Sequence, residues 1–429
     1  MRVSEWPLET TPCGPRPGAR QNGGVKALQV GPYRIATPVV LAPMAGITNQ
    51  AFRRLCREQM TSAGGEGLFV SEMVTSRALI ERNVESMRLI QHDPEENPRS
   101  VQLYGVDPAT IGICVSMLLD EGRADHIDLN FGCPVPKVTR KGGGAALPWK
   151  SSLFAAIVGA AVKAATPYGV PVTIKMRKGI DAEHLSYLDA GRIAEAEGVA
   201  LVALHARTAA DYYGGTVDRA AIGLLKQAVT SIPVLGNGDI WSADDAVAMI
   251  EETGCDGVVV GRGCLGRPWL FADLAAAIDG RPERVRPNLG YVLATMRRHV
   301  ELLAEHYEGY ERPVRSVGEP GPPTSEVSTA QQRACRDFRK HIAWYLKGYM
   351  VGGELRAKLG MFTSLAEFDQ LTAELDADQP HPGAPAEGQR GRTGVQRQVA
   401  LPEGWLTDRE IDAVTATMIR AAELSVSGG

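Results

Sequence analysis

A chain of 429 residues with 44% apolar and 22% charged side chains exceeds one average domain and can bury a large core without disulfides or metals. Its net charge of −4 excludes a chain-wide basic field, so any nucleic-acid surface has to be a local patch. Seven cysteines lie scattered with no CxxC and no zinc-type Cys/His spacing, which argues against a structural metal and for a reducing compartment. Residues 1–24 lack a signal peptide's apolar centre, and no apolar run is long enough to span a bilayer, so a cytoplasmic location is expected.

In chain order, residues 1–27 are rich in Pro and Gly and read as a disordered extension. A hairpin is expected at 28–35 around Gly31-Pro32. Short β-rich runs then recur at 39–42, 68–71, 100–103, 126–129, 172–176, 201–205, 233–235 and 257–260. Helix-like stretches separate most of them, at 49–59, 108–121, 152–165, 182–197, 218–229 and 243–252. The runs are continuously apolar, as strands covered on both faces should be. Eight such strands alternating with helices predict an α/β fold, a (β/α)₈ TIM barrel over 28–287, rather than an open sheet.

The rhythm changes after 287. A helical domain is expected over 288–375, interrupted by a charged Pro/Gly-rich loop at 309–327. Residues 376–403 read as a flexible insertion, and a capping pattern at Thr407 to Glu410 predicts a final helix within 404–429.

Polar residues and glycines cluster after the strand ends, on the rim where barrels place their chemistry. Asn237, Gly238 and Asp239 follow the seventh strand, and Gly261 and Arg262 the eighth. Glycines there let backbone N–H groups approach a phosphate, and Arg262 would add a charge-assisted bond; the plainer alternative is two tight turns. Lys175 ends a buried strand and suits the negative charge of a reduced ring, unless it is simply salt-bridged. His205 ends the next strand in the same layer, and Gln102 in the third could bond a ring's amide edge. Cys133 sits in a turn with Asn130 just past the fourth strand, where an ordinary thiol is mostly protonated and suits a general acid. A buried structural cysteine is the alternative. The run Arg140-Lys141-Gly142-Gly143-Gly144 is not a P-loop but could serve as a flap. Seven basic residues between 333 and 358, interleaved with His341, Trp344, Tyr345 and Tyr349, suit RNA; the alternative is a solvated helix whose rings face the core.

Several segments taken together resemble the bacterial tRNA-dihydrouridine synthases, especially the B-type branch. They are Leu41 to Thr48, Ser71-Glu72-Met73, Asp128 to Pro134 with the glycine run, Lys175-Met176-Arg177, His205-Ala206-Arg207, Asn237 to Ile240, Gly261-Arg262-Gly263 and Arg339 to Tyr345. The resemblance spans roughly 28–375 and implies an FMN-containing barrel followed by a tRNA-binding helical domain. It implies that NADPH reduces FMN, that hydride passes to C6 of a tRNA uracil and that Cys133 protonates C5. Pro43, Met44, Ala45, Gln102, Lys175, His205, Asn237, Gly238, Asp239, Gly261 and Arg262 would hold the cofactor. Asn130, Arg177, Arg207, Lys141, Arg339 and Lys340 would face the substrate. A monomer with no metal and no membrane association is expected. The competing readings are a flavin barrel acting on a free pyrimidine, as dihydroorotate dehydrogenases do, and a noncatalytic tRNA-binding protein.

Overall fold

This computed structural model describes residues 25–308, 329–391, 393–411, 417 and 419. The N-terminal extension up to residue 24, the loop expected at 309–327 and most of the last expected helix lie outside that set.

A short antiparallel hairpin, β1 (Leu28–Val30) and β2 (Tyr33–Ile35), precedes eight parallel strands. These are β3 (Val39–Leu41), β4 (Leu68–Thr75), β5 (Ser100–Tyr104), β6 (His126–Phe131), β7 (Val172–Arg177), β8 (Leu201–His205), β9 (Val234–Asn237) and β10 (Gly257–Val260). They close in sequence order, β10 pairing with both β9 and β3, so the TIM barrel expected from the sequence is present. Leu28, Val30 and Ile35 of the hairpin pack with Val40, Leu68, Leu201 and Leu235 to seal the N-terminal end of the barrel. The opposite rim is left for ligands.

Several of the intervening helices are capped at their first turns. Asn49, Asp107 and Asp218 each accept a backbone N–H two or three residues inside their helix, and Ser242 with Asp245 makes a reciprocal capping box. Their apolar faces bury against the strands in one continuous core. The register of β4 shifts between Val70 and Met73, and the Ser71 hydroxyl accepts the Gln102 N–H at 3.1 Å inside that irregularity. The bulge turns Glu72 and Met73 toward the rim.

The helical region contains Leu289–Glu308, Thr329–Phe338, Ile342–Tyr345, Gly353–Leu359 and Leu365–Thr372. It has its own core, which also takes Ala51 and Leu55 from the first barrel helix, Gln50–Ser62. His341, Tyr345 and Tyr349 are buried in it, so these three rings build the domain and are not available to stack on bases. Among the described residues, no helix is long and apolar enough to cross a membrane.

Residues 376–411 differ from expectation. They are an anchored strap rather than a flexible insertion. Arg390 is buried and donates to the carbonyls of Leu265, Trp344 and Ala386. Lys347 donates to the Glu387 and Gln389 carbonyls, and the Arg397 N–H reaches the Ala210 carbonyl. Thr407 to Glu410 form turns and bends, not the opening of a helix. The polar, Pro/Gly-rich composition that suggests disorder reflects instead a strand-free path held by side-chain bonds to carbonyls.

Candidate active site

A cavity of about 580 Å³ opens at the C-terminal rim of the barrel, within the range of small-molecule and cofactor sites. Pro43, Met44, Ala45, Asn130, Cys133, Lys175, Arg177, His205, Asn237, Gly238, Asp239, Gly261 and Arg262 all line it. Lys340 and Trp344 reach in from the helical region and Gly391 from the strap.

Strand register accounts for this convergence. Asn130 pairs with Lys175, while His205 lies between Arg177 and Asn237. Neighbouring strand ends therefore present these side chains at similar heights. Asn237 is fixed by its amide, which donates to the Val259 carbonyl at 2.7 Å. Gly238 has φ +122°, and a Cβ there would stand 2.6 Å from Val217 Cγ2, so a side chain is excluded. A Cβ on Gly261 would stand 3.6 Å from Ala42 and 3.8 Å from the Met44 sulfur, filling the space between wall residues.

The cysteine turn is held from beneath by a buried chain of side chains. Asn130 Oδ1 accepts the N–H groups of Gly132 at 3.1 Å and Cys133 at 2.9 Å. Its amide nitrogen donates to Gln102 Oε1 at 2.8 Å. Gln102 donates in turn to Asp128 at 2.6 Å, and Thr173 donates to the other Asp128 oxygen at 2.6 Å. A carboxylate accepts only, so it dictates which way the Gln102 amide faces, and Gln102 dictates Asn130. Burial pushes the Asp128 carboxyl up to about 6, which leaves it mostly ionised at neutral pH.

Gln102 therefore supports the site without lining it; it is fully buried and absent from the cavity wall, contrary to the direct ring contact expected. Four other residues also depart from expectation. Arg207 is buried in a two-pronged ion pair with Asp239, at 2.9 and 2.8 Å, so it faces neither cavity nor solvent. Arg339 donates to the Met361 and Phe362 carbonyls, closing a chain reversal in the helical region. Lys141 stands in the turn beyond the cavity. The Asp239 carboxylate, expected at a phosphate, instead neutralises Arg207 and lies 3.7 Å from Arg262.

The field inside the cavity is positive. Lys175, Arg177, Arg262 and Lys340 all line it, with Asp239 as the acidic residue among the lining groups. Burial, aided by Arg177, holds the Lys175 amine down at about 8. Burial and the surrounding cations Arg177, Lys175, Arg207 and Arg262 keep His205 well below its ordinary value, hence neutral. Lys340 is paired with Asp337 at 2.5 Å. Arg177 is tethered to the Gly132 carbonyl at 2.9 Å and to those of Thr208 and Tyr212.

Burial also pushes the Cys133 thiol up, against the opposing pull of the Val135 N–H, Arg177 and Lys175. The thiol is thus protonated at neutral pH while half-buried in the cavity wall. A protonated group held there can give a proton, and is a poor nucleophile without a base.

Several wall residues had no role assigned from sequence. The Arg262 guanidinium lies near the Tyr213 and Trp241 rings, at 4.6 and 5.0 Å from the ring centres. Tyr212 and Met73 also line the cavity. Glu72 is buried, and its carboxylate accepts the Gly46 N–H, bracing the turn that carries Pro43 to Ala45. Trp241 could have been found from its place directly after the glycine-rich loop at 236–240. Gly391 carries no sequence signal.

A family model, dihydrouridine synthase (Dus), matches residues 40–317. The chain belongs to the dihydrouridine synthase family. It is similar to the "Probable tRNA-dihydrouridine synthase" of Mycobacterium tuberculosis, 54% identical over 384 residues, covering 89% of this chain and 93% of the relative. Similarity to the Mycobacterium leprae protein of the same description is 51% over 411 residues, covering 91% and 100%. "tRNA-dihydrouridine synthase B" of Pseudomonas aeruginosa is 35% identical over 354 residues, covering 82% and 95%. Dihydrouridine synthase similarity thus embraces both the barrel and much of the helical region.

Proposed function

We propose that this enzyme reduces uridines in tRNA to 5,6-dihydrouridine, with FMN in the rim cavity and NADPH as electron donor. The observation that carries this reading is a protonated thiol, Cys133, facing the same cation-lined cavity as Lys175 and the glycine loops. The residues fit a flavin mononucleotide. Arg262, Gly238, Gly261 and Asn237 offer a cationic, side-chain-free end for a phosphate. Met44 and its neighbours offer an apolar wall for a ring, and Lys175 a cation beside it. Bound there, the flavin would supply the two electrons that saturate the pyrimidine C5–C6 bond.

The chain's own residues supply placement and the proton. Asn130 keeps the Cys133 turn in one geometry and can face the base. Cys133 delivers a proton to C5 and is left as a thiolate, which Arg177 and Lys175 stabilise before solvent returns the proton. The uracil has to leave its stack to reach the cavity, so a flexible loop of tRNA is the natural substrate. Lys340 and Trp344 extend from the helical region over the rim and would meet the flanking nucleotides. The enzyme would act where tRNA is found, in the cytoplasm.

The test is to purify the protein, record its flavin spectrum, and incubate it with unmodified tRNA and NADPH. A yellow protein that forms dihydrouridine in tRNA and leaves free uridine untouched is expected. Turnover of free uridine alone, or a protein that takes up no flavin, would overturn the proposal.

A further inference from the structure

The strap that follows the helical region reaches the catalytic turn. Trp405 is almost fully buried, and its indole N–H donates to the Ala146 carbonyl at 3.0 Å. The ring lies against Gly142, where φ is +77° and an added Cβ would stand 2.4 Å from the indole. Only a glycine admits the ring so closely. Lys150 fastens the strap further along, donating to the Asp408 carbonyl at 2.7 Å and the Glu410 carbonyl at 3.1 Å, with its ammonium 5.3 Å from the Trp405 ring centre.

The clamped segment is the glycine flap, and the flap bears on the thiol. The Ala145 N–H donates to the Cys133 carbonyl at 3.0 Å, and a Cβ on Gly144 would stand 2.5 Å from that same oxygen. Asn130 fixes the cysteine turn from below; the flap fixes it from the side.

We infer that Trp405 is a positioning residue for the Cys133 proton donor, acting through the glycine flap, and that the strap is part of the catalytic apparatus. This inference rests on the reading of Cys133 as proton donor. Trp405 does not line the rim cavity. It restricts the flap to one position, and the flap restricts the thiol.

The experiment compares full-length wild type, Trp405→Ala, Trp405→Phe and Cys133→Ala. Flavin content, tRNA affinity and dihydrouridine formation are measured for each, and iodoacetamide alkylation of Cys133, read by peptide mass in protein stripped of cofactor, for the three that retain the thiol. Trp405→Ala is expected to keep flavin and tRNA affinity, to alkylate faster, and to lose product formation by about 10- to 100-fold, since small misplacement of a general acid is enough for that. Trp405→Phe retains a ring over Gly142 and loses only the bond to Ala146, so a smaller loss is expected. If Trp405→Ala fails to fold, Trp405→Phe decides the matter by the same readouts. Unchanged product formation and unchanged alkylation would overturn the inference, as would activity falling only in step with flavin content. Cys133→Ala separates the two claims: if it still forms product, the proton-donor reading fails; if it does not, only the role of Trp405 is at issue.

Discussion

Replacing Gln102 with methionine isolates the buried chain beneath the cysteine turn. Methionine preserves volume and apolar packing, so the change removes hydrogen bonds rather than opening a cavity. The Asn130 amide would lose its acceptor at 2.8 Å, and Asp128 would lose the donor at 2.6 Å while keeping Thr173. Leaving a buried donor unpaired costs about 1–3 kcal/mol, and a hydrogen bond to a charged acceptor is worth about 1.5–3 kcal/mol, so a combined loss of about 2.5–6 kcal/mol is expected. The loss should depend on pH. Asp128 already sits up at about 6, and removing a donor to its charged form raises it further. The variant's folded state then binds a proton that the unfolded state has released, so its stability falls as pH rises through and above 6. Urea unfolding of cofactor-free protein at pH 5 and pH 8 measures this, with the larger deficit expected at pH 8. Dihydrouridine formation should fall with it, because the Cys133 turn loses its support. A deficit below about 1 kcal/mol that does not vary with pH, with full activity, would refute this chain of support.

Lys175→Met should raise the stability of the cofactor-free protein at neutral pH while abolishing catalysis. An amine held at about 8 rather than its ordinary 10.5 carries a burial cost of up to about 3 kcal/mol in its charged form. Because the folded value is depressed, the wild type gains stability as pH rises from 8 to 10.5 and loses it again as pH falls through 8. The variant should lack this limb in a thermal melt taken across that range. Arg339→Gln should lower the melting temperature and leave tRNA affinity at moderate salt unchanged, because its guanidinium serves the Met361 and Phe362 carbonyls. A selective loss of tRNA affinity with no change in melting would return Arg339 to the substrate surface.

The barrel was legible because its strands are short, apolar on both faces and regularly spaced, with helix-like stretches between most of them. The β8 and β10 boundaries match expectation, whereas β4 runs longer because its bulge carries polar Ser71 and Glu72 within a strand. The cavity wall was legible wherever a polar residue follows an apolar run, as at Asn130, Lys175, His205 and Asn237. Partnering inside the site was not. Gln102, Arg207 and Asp239 belong to the right layer, but whether a side chain faces the cavity or another side chain depends on cross-strand neighbours that one strand does not reveal. The same holds for the basic segment around residue 340, where His341, Tyr345 and Tyr349 are buried and Arg339 bonds to carbonyls, while Lys340 and Trp344 line the cavity. The strap was least legible, because its order comes from Arg390 and Trp405 docking onto distant carbonyls, and neither leaves a periodic pattern.

The proton-donor assignment is tested most directly with Cys133→Ala, reduced without oxygen and mixed with unmodified tRNA, counting dihydrouridine by mass spectrometry. Flavin content and its reduction by NADPH should match wild type, while product formation drops by about 10²- to 10⁴-fold, the usual contribution of a general acid. Product at the wild-type rate would contradict it.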